Sequence, residues 1–261
     1  MPATSTRTEY PKITGAPDYD DPAYWDVKFA TGKDVGEWLN SGEILIETTC
    51  PNWSIVLNPM PSRVLCTSVQ ASPNWGSNYL RPFISAIGRE AALWCNVDFS
   101  AEAVRLGQEL ESGKNGDQAM HWLQIDLGSW SDVAGVACYA PFDVVVDKST
   151  SDAIATSPSV SLSTESDTRS ICPIISEILK ETGELTLSPV ELLALHPVPL
   201  TQKGSTWVAL SYSIIRFDNL GYAAKYWALL SRTSIKAPQG QMSSFAHSPE
   251  VFHWAYVLRR K

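Results

Sequence analysis

Three apolar runs of this chain end on or beside a carboxylate: 92–98 (ALWCNVD), 121–127 (HWLQIDL) and 142–147 (FDVVVD), which place Asp98, Asp126 and Asp147 at three successive strand ends. A carboxylate at such a position accepts hydrogen bonds from ribose hydroxyls or an exocyclic amine. In an open parallel sheet, ligands bind beyond the carboxyl ends of the strands. A single Asp there is commonly only a turn or cap residue; three in succession favour a shared site. The third continues into a dense polar run, Asp143 to Asp152 (DVVVDKSTSD). Lys148, between Asp147 and Asp152, suits acid–base work or substrate positioning. The same residues also read as a solvated helix start capped by Ser149 or Thr150.

Other chemistries find no support. There is no GxSxG and no GxxxxGK[ST]. The four His (His121, His196, His247, His253) and five Cys (Cys50, Cys66, Cys95, Cys138, Cys172) show no metal-ligand spacing, so no metal is expected. Cys66, Cys95 and Cys138 sit in or near apolar runs and read as buried thiols of a reducing compartment. His121 and His253 read as packed strand residues. A net charge of −8 and a pI near 5.0 argue against nucleic-acid binding. They leave a basic protein or a small molecule as substrate. No apolar leader and no run of about 18 apolar residues is seen, so a cytoplasmic protein without a membrane span is expected.

The elements that must position these acids follow from the pattern. Residues 1–22, rich in Pro, Thr and Asp, predict a flexible arm, and 23–261 a single domain. Residues 24–39 predict an opening helix with Trp25, Phe29, Val35 and Trp38 inward, weakened by Gly32 and Gly36. The run 64–69 predicts a strand, and 78–88 a helix. Ser100 then caps a helix with Ala103, Leu106 and Leu110 on one side. Helices are expected over 171–182 and 188–195, and a strand over 206–212. Strands alternating with helices imply parallel βαβ units. The tail differs: 226–235 and 251–259 are both strand-like, with too little between them for a crossover helix, and predict an antiparallel hairpin. Residues 149–169 predict a loop or lid.

After the first strand a nucleotide cradle needs glycine, which lets the backbone approach a ligand at positive φ. Here Thr67 to Gly76 (TSVQASPNWG) brings its first glycine only at Gly76.

Several segments together resemble a known family. Tyr24 to Phe29 (YWDVKF) resembles the YWDxRF opening of the methyltransferase-like group that includes elongation-factor lysine methyltransferases, with Lys28 in place of Arg. Phe142 to Asp152 (FDVVVDKSTSD) resembles that group's FDVVLDKGTLDA. Asn96 to Ser100 (NVDFS), Trp122 to Trp130 (WLQIDLGSW) and the closing Tyr256-Val257-Leu258 are similar in character. The resemblance spans roughly residues 24–258. It implies a Rossmann-like, doubly wound, mainly parallel seven-stranded α/β sheet ending in an antiparallel hairpin, with S-adenosylmethionine as cofactor. Trp25, Lys28, Ser68, Gln70, Asp98, Phe99, Asp126 and Leu127 would then bind the cofactor, Asp98 through its ribose. Asp147 would lie near the methyl donor, with Lys148 and Asp152 ordering the substrate. Ser68 and Gln70 fall where that family's loop has its two glycines, which predicts weak cofactor affinity. Two functions follow: methyl transfer to a protein lysine or a small-molecule oxygen or nitrogen, or a methyltransferase fold turned to another reaction, such as a cyclisation in secondary metabolism.

Overall fold

A computed structural model describes residues 19–32, 45, 63–68, 93–114, 120–164, 170–237 and 250–261, with backbone alone for 66–68. The predicted helix over 78–88, the far half of the opening helix and Gln70 lie outside the described residues.

Helix α1 (Pro22–Thr31) starts where Asp21 accepts the Ala23 N–H at 2.9 Å and Pro22 presets the first turn. It stops at Gly32, whose left-handed φ of 61° ends the helix. Strands β1 (Arg63–Ser68) and β2 (Leu93–Asp98) are followed by α2 (Ala101–Glu111), β3 (His121–Gln124), a short α3 (Trp130–Val133) and β4 (Phe142–Lys148). Ser100 caps α2 as expected, its hydroxyl accepting the Ala103 N–H at 3.1 Å. Ala103, Val104, Gly107 and Glu111 form the buried face, while Leu110 points to solvent.

After β4 the chain forms α4 (Thr150–Ile154) and β5 (Val160–Ser163), then α5 (Pro173–Thr182), β6 (Glu184–Leu187), α6 (Pro189–Leu195) and β7 (Thr201–Ser211). The expected loop over 149–169 is thus corrected: β5 pairs antiparallel with β6 in a small second sheet. Its Val160, Leu162, Leu185 and Leu187 face the core side at alternate positions, a period too short-lived in a Ser-rich stretch to be read from sequence. The chain closes with β8 (Trp227–Lys236) and β9 (Phe252–Arg260).

The main sheet has seven strands in the order β3-β2-β1-β4-β7-β9-β8. Pairings among β1, β2, β3, β4 and β7 are parallel; β9 runs antiparallel between β7 and β8. The closing hairpin therefore folds back so that its second strand inserts. The near-continuous apolar runs of β2 and β4 fit strands buried on both faces. Two further expectations are corrected: Cys138 and His121 are exposed, whereas Cys95, Cys172 and His253 are buried.

Gly107 shows how tightly α2 is seated. A Cβ built there would lie 2.2 Å from the Trp122 ring of β3. Helix propensity alone favours Ala over Gly by about 1 kcal/mol, yet overpacking costs about 1–3 kcal/mol. Gly107→Ala is expected to destabilise the fold by about 1–2 kcal/mol, read from the denaturant midpoint. A stabilised variant would mean that the helix does not rest on Trp122.

Candidate functional site

A cavity of about 250 Å³ opens at the carboxyl edge of the sheet. Strand β2 and the turn after it supply Val97, Asp98 and Phe99; the segment after β3 supplies Ile125, Asp126, Leu127 and Gly128. The α4 side adds Thr150, Ala153 and Ile154, α6 adds Pro189 and Leu192, and Tyr19 and Asp20 cover one edge from the N-terminal side. The walls are mainly apolar, with carboxylates at a few points, which is the usual make-up of a small-molecule site.

Asp98 is 7% exposed and accepts the Ser100 N–H at 2.8 Å. Burial pushes its carboxyl up to about 8; the Ser100 and Phe99 amides act against this, and nearby Asp26 adds to it. The Ser100 hydroxyl donates to Asp26 at 2.5 Å, and Asp26 also accepts the Glu102 N–H at 3.1 Å. One serine thus joins β2, α1 and α2 beneath the cavity. Asp126 is exposed and accepts the Gly128 N–H at 2.7 Å, forming a tight turn along one wall. The Leu127 carbonyl accepts a hydrogen bond from buried His196 Nδ1 at 2.7 Å.

Asp98, Phe99, Asp126 and Leu127 therefore share one cavity, and the remaining predicted residues stand elsewhere. Trp25 is fully buried: its indole N–H donates to the Tyr19 carbonyl at 2.9 Å, and it packs with Phe29, Ala103 and Ala153. It holds Tyr19 in place and does not line the cavity. Lys28 lies over the Tyr24 ring, 5.5 Å from its centroid, also away from the cavity. Ser68 ends β1 opposite Lys148, and its side chain lies outside the described residues, as does Gln70.

Asp147 does not open on the cleft with the other two acids. It is 1% exposed, accepts the Ser151 N–H at 3.2 Å, and is pushed up to about 7 by burial, against hydrogen bonds from Ser151. Lys148 is also 1% exposed and is absent from the cavity walls. Asp152 is a structural clamp: it accepts Ser211 Oγ at 2.5 Å and the Tyr212 N–H at 3.1 Å, and pairs with Arg216 at 2.8 Å. The reason is local. Ser149, with φ 67°, is the one non-glycine residue at positive φ among the described residues, and it turns the chain inward directly after β4. Of this polar run Thr150 alone lines the cavity, and Asp147, Lys148 and Asp152 are buried outside its walls.

Sequence reading missed Tyr19, Asp20, Asp26 and His196. Asp26 stood inside the YWDVKF motif and was readable as a cap partner; the others carried no local signal. Among the described residues no cluster of His, Cys, Asp or Glu could hold a metal ion, and no helix is long and apolar enough to cross a membrane.

The strand order, with a single inserted antiparallel strand, defines a Rossmann-like fold of the class I methyltransferase type. No family model matches the chain. It is 24% identical over 250 residues to methyltransferase srdJ of Neurospora crassa, an alignment covering 94% of this chain and 85% of that protein. A solved S-adenosylmethionine-dependent methyltransferase from Anabaena variabilis superposes with a TM-score of 0.53 at 10% identity, covering 94% and 95% of the two chains. These likenesses speak for the methyltransferase class and do not single out the elongation-factor lysine group.

The buried acids give a pH signature. A carboxyl with a folded pKa raised above its unfolded value of about 3.9 keeps a proton that the unfolded chain has released, so stability falls as pH rises through that interval. Asp98 and Asp147 both act this way. Buried His196 and His253, with lowered pKa, act oppositely, but only below about pH 6.5. Stability of the ligand-free protein should therefore fall between about pH 6.5 and 8. Asp98→Asn should melt above the parent near pH 8.5 and close to it near pH 5, by thermal scans at both values. An equal shift at both would show that Asp98 is ionised in the fold throughout.

Proposed function

We propose that the chain binds S-adenosylmethionine in this cavity and transfers its methyl group to an oxygen or nitrogen nucleophile, on a small molecule or a protein lysine. The observation that carries the reading is the convergence of Asp98 and Asp126, from adjacent strand ends, on one cavity between apolar walls. The donor set fits the cofactor. Asp98 can accept from vicinal ribose hydroxyls and Asp126 from the exocyclic amine. Phe99, Leu127, Ile154 and Leu192 offer apolar surface to a planar base. A ligand hydrogen bond to the ionised form of Asp98 offsets the burial that now disfavours its charge.

When bound, the cofactor supplies an electrophilic methyl group on a sulfonium. The protein's part is to orient it, to exclude water and to present the acceptor in line. Tyr19 and Asp20 serve exclusion by covering the cavity edge. Among the described residues, the cavity walls hold no Lys, Arg or His. A reaction asking little acid–base help of the protein suits such walls better than a cyclisation does.

Calorimetric titration with S-adenosylhomocysteine tests the reading. Asp98→Ala should weaken binding at least about tenfold, or 1.4 kcal/mol. The Ser68→Gly, Gln70→Gly double variant should tighten it. No binding by the parent at millimolar ligand would overturn the proposal.

A further inference from the structure

We propose that His196 is a positioning residue for the ligand-reading segment Ile125–Gly128, and that through it the cavity distinguishes an adenine from a base lacking the exocyclic amine. The inference deepens the cofactor reading above and rests on it.

The segment is a thin wall. Asp126, Leu127 and Gly128 face the cavity just described; Gly128, Ser129, Trp130 and Ser131 face a second cavity of about 180 Å³ behind it, which His196 also lines. Within this segment only Gly128 lines both cavities, and Ile125 and Leu127 are buried in the core, so packing holds those side chains. The direction of the backbone carbonyls depends on the donors that reach them. Beyond Gln124 the segment leaves the ladder of the sheet, whose last pairing is Asp98 with Gln124. Besides that burial, it is held by the Ile125 N–H on the Asp98 carbonyl at 2.9 Å, the Asp126 N–H on Asp132 at 3.3 Å, the Ser129 N–H on the Asp126 carbonyl at 3.0 Å, and the His196 bond to the Leu127 carbonyl at 2.7 Å.

The last of these spans 69 residues and ties the wall to the opposite side of the cavity. His196 directly follows α6, its backbone N–H on the Leu192 carbonyl, and α6 supplies Pro189 and Leu192 to the same cavity. A carbonyl only accepts, so His196 Nδ1 carries the hydrogen. The imidazole is 2% exposed and rests against the Trp130 ring at 5.7 Å between centroids, so its orientation is set by packing. Holding the Leu127 carbonyl outward fixes where the Asp126 carboxylate and the Leu127 side chain stand within the cavity. A buried donor that orients a binding segment without touching the ligand matches the way supporting side chains sharpen a site. A site built to accept an amine hydrogen rejects an analogue presenting a carbonyl there, because two acceptors then face each other.

The test compares S-adenosylhomocysteine with S-inosylhomocysteine, in which a carbonyl oxygen replaces the amine, by calorimetry on the full chain. The parent should prefer the adenosyl ligand by at least about tenfold. In His196→Phe, which keeps a ring against Trp130 and loses the donor, the preference should fall to within about threefold. His196→Asn, whose side-chain N–H can reach the same carbonyl, should restore most of it. A merely structural histidine would lower thermal stability in both variants and leave the ratio unmoved. If His196→Phe does not fold, His196→Met is measured in its place with the same criterion. An unchanged ratio in the donor-less variant overturns this inference alone. A parent that binds both ligands equally also overturns it and leaves cofactor binding standing. A parent that binds neither overturns the cofactor reading, and this one with it.

Discussion

Ser100 is the junction on which the site depends. It is fully buried, and three of its groups are committed at once: its N–H to Asp98, its hydroxyl hydrogen to Asp26, and its hydroxyl oxygen to the Ala103 N–H. A buried polar group left unpaired costs more than a paired one contributes, so these bonds constrain one another. The serine can cap α2 only while Asp26 stands beside it, and that fixes α1 against α2. Once α1 is fixed, Trp25 holds Tyr19 at the cavity edge. The position of a cover more than seventy residues away in sequence thus follows from one helix cap.

This coupling also explains the electrostatics. Asp26 and Asp98 share one serine, Asp98 buried and Asp26 half-buried. Burial is what chiefly disfavours the charged form of Asp98, and the neighbouring Asp26 adds to it. A ligand that donates hydrogen bonds to Asp98 favours its charged form against that burial. Binding and stability are linked through the same proton.

Much of the frame was legible in the sequence. Continuous apolar runs gave the parallel strands, Ser100 and Ser188 gave helix starts, and the short spacing after 235 gave the closing hairpin. The pattern could not tell that β9 would insert beside β7, because pairing order across a sheet depends on which edges remain open and leaves no trace in local periodicity. Strand β5 was hidden for a different reason: four residues with two inward side chains fall below the length at which alternation can be distinguished from chance. At the site, Asp98 and Asp126 were legible because a strand end fixes direction. Asp147 was read as a strand end, but β4 runs on to Lys148 with Asp147 paired on both sides and buried, and the left-handed turn comes only at Ser149. The sequence marks that position only by a serine, a residue that takes positive φ seldom enough for the turn to go unread.

The inward turn of residues 147–152 bears on which chemistry the fold can support. A cyclisation needs a proton donor or acceptor at the reacting atoms. The acids and the lysine best suited to that work in the sequence are placed elsewhere: Asp152 joins α4 to the end of β7 through Arg216, Ser211 and Tyr212, while Asp147 and Lys148 are buried and absent from the cavity walls. Of the acids that reach the cavity, Asp20 covers its edge, while Asp98 and Asp126 come from β2 and the segment after β3, on the side where a nucleoside would be read, and each of these two is already tied to a backbone amide of its own turn. Transfer of an already activated group demands orientation and dryness more than proton traffic. With Asp152 committed to joining α4 to the end of β7, and Asp147 and Lys148 buried outside the cavity walls, this run brings no charged acid or base to the site, which suits a transfer that asks for orientation and dryness.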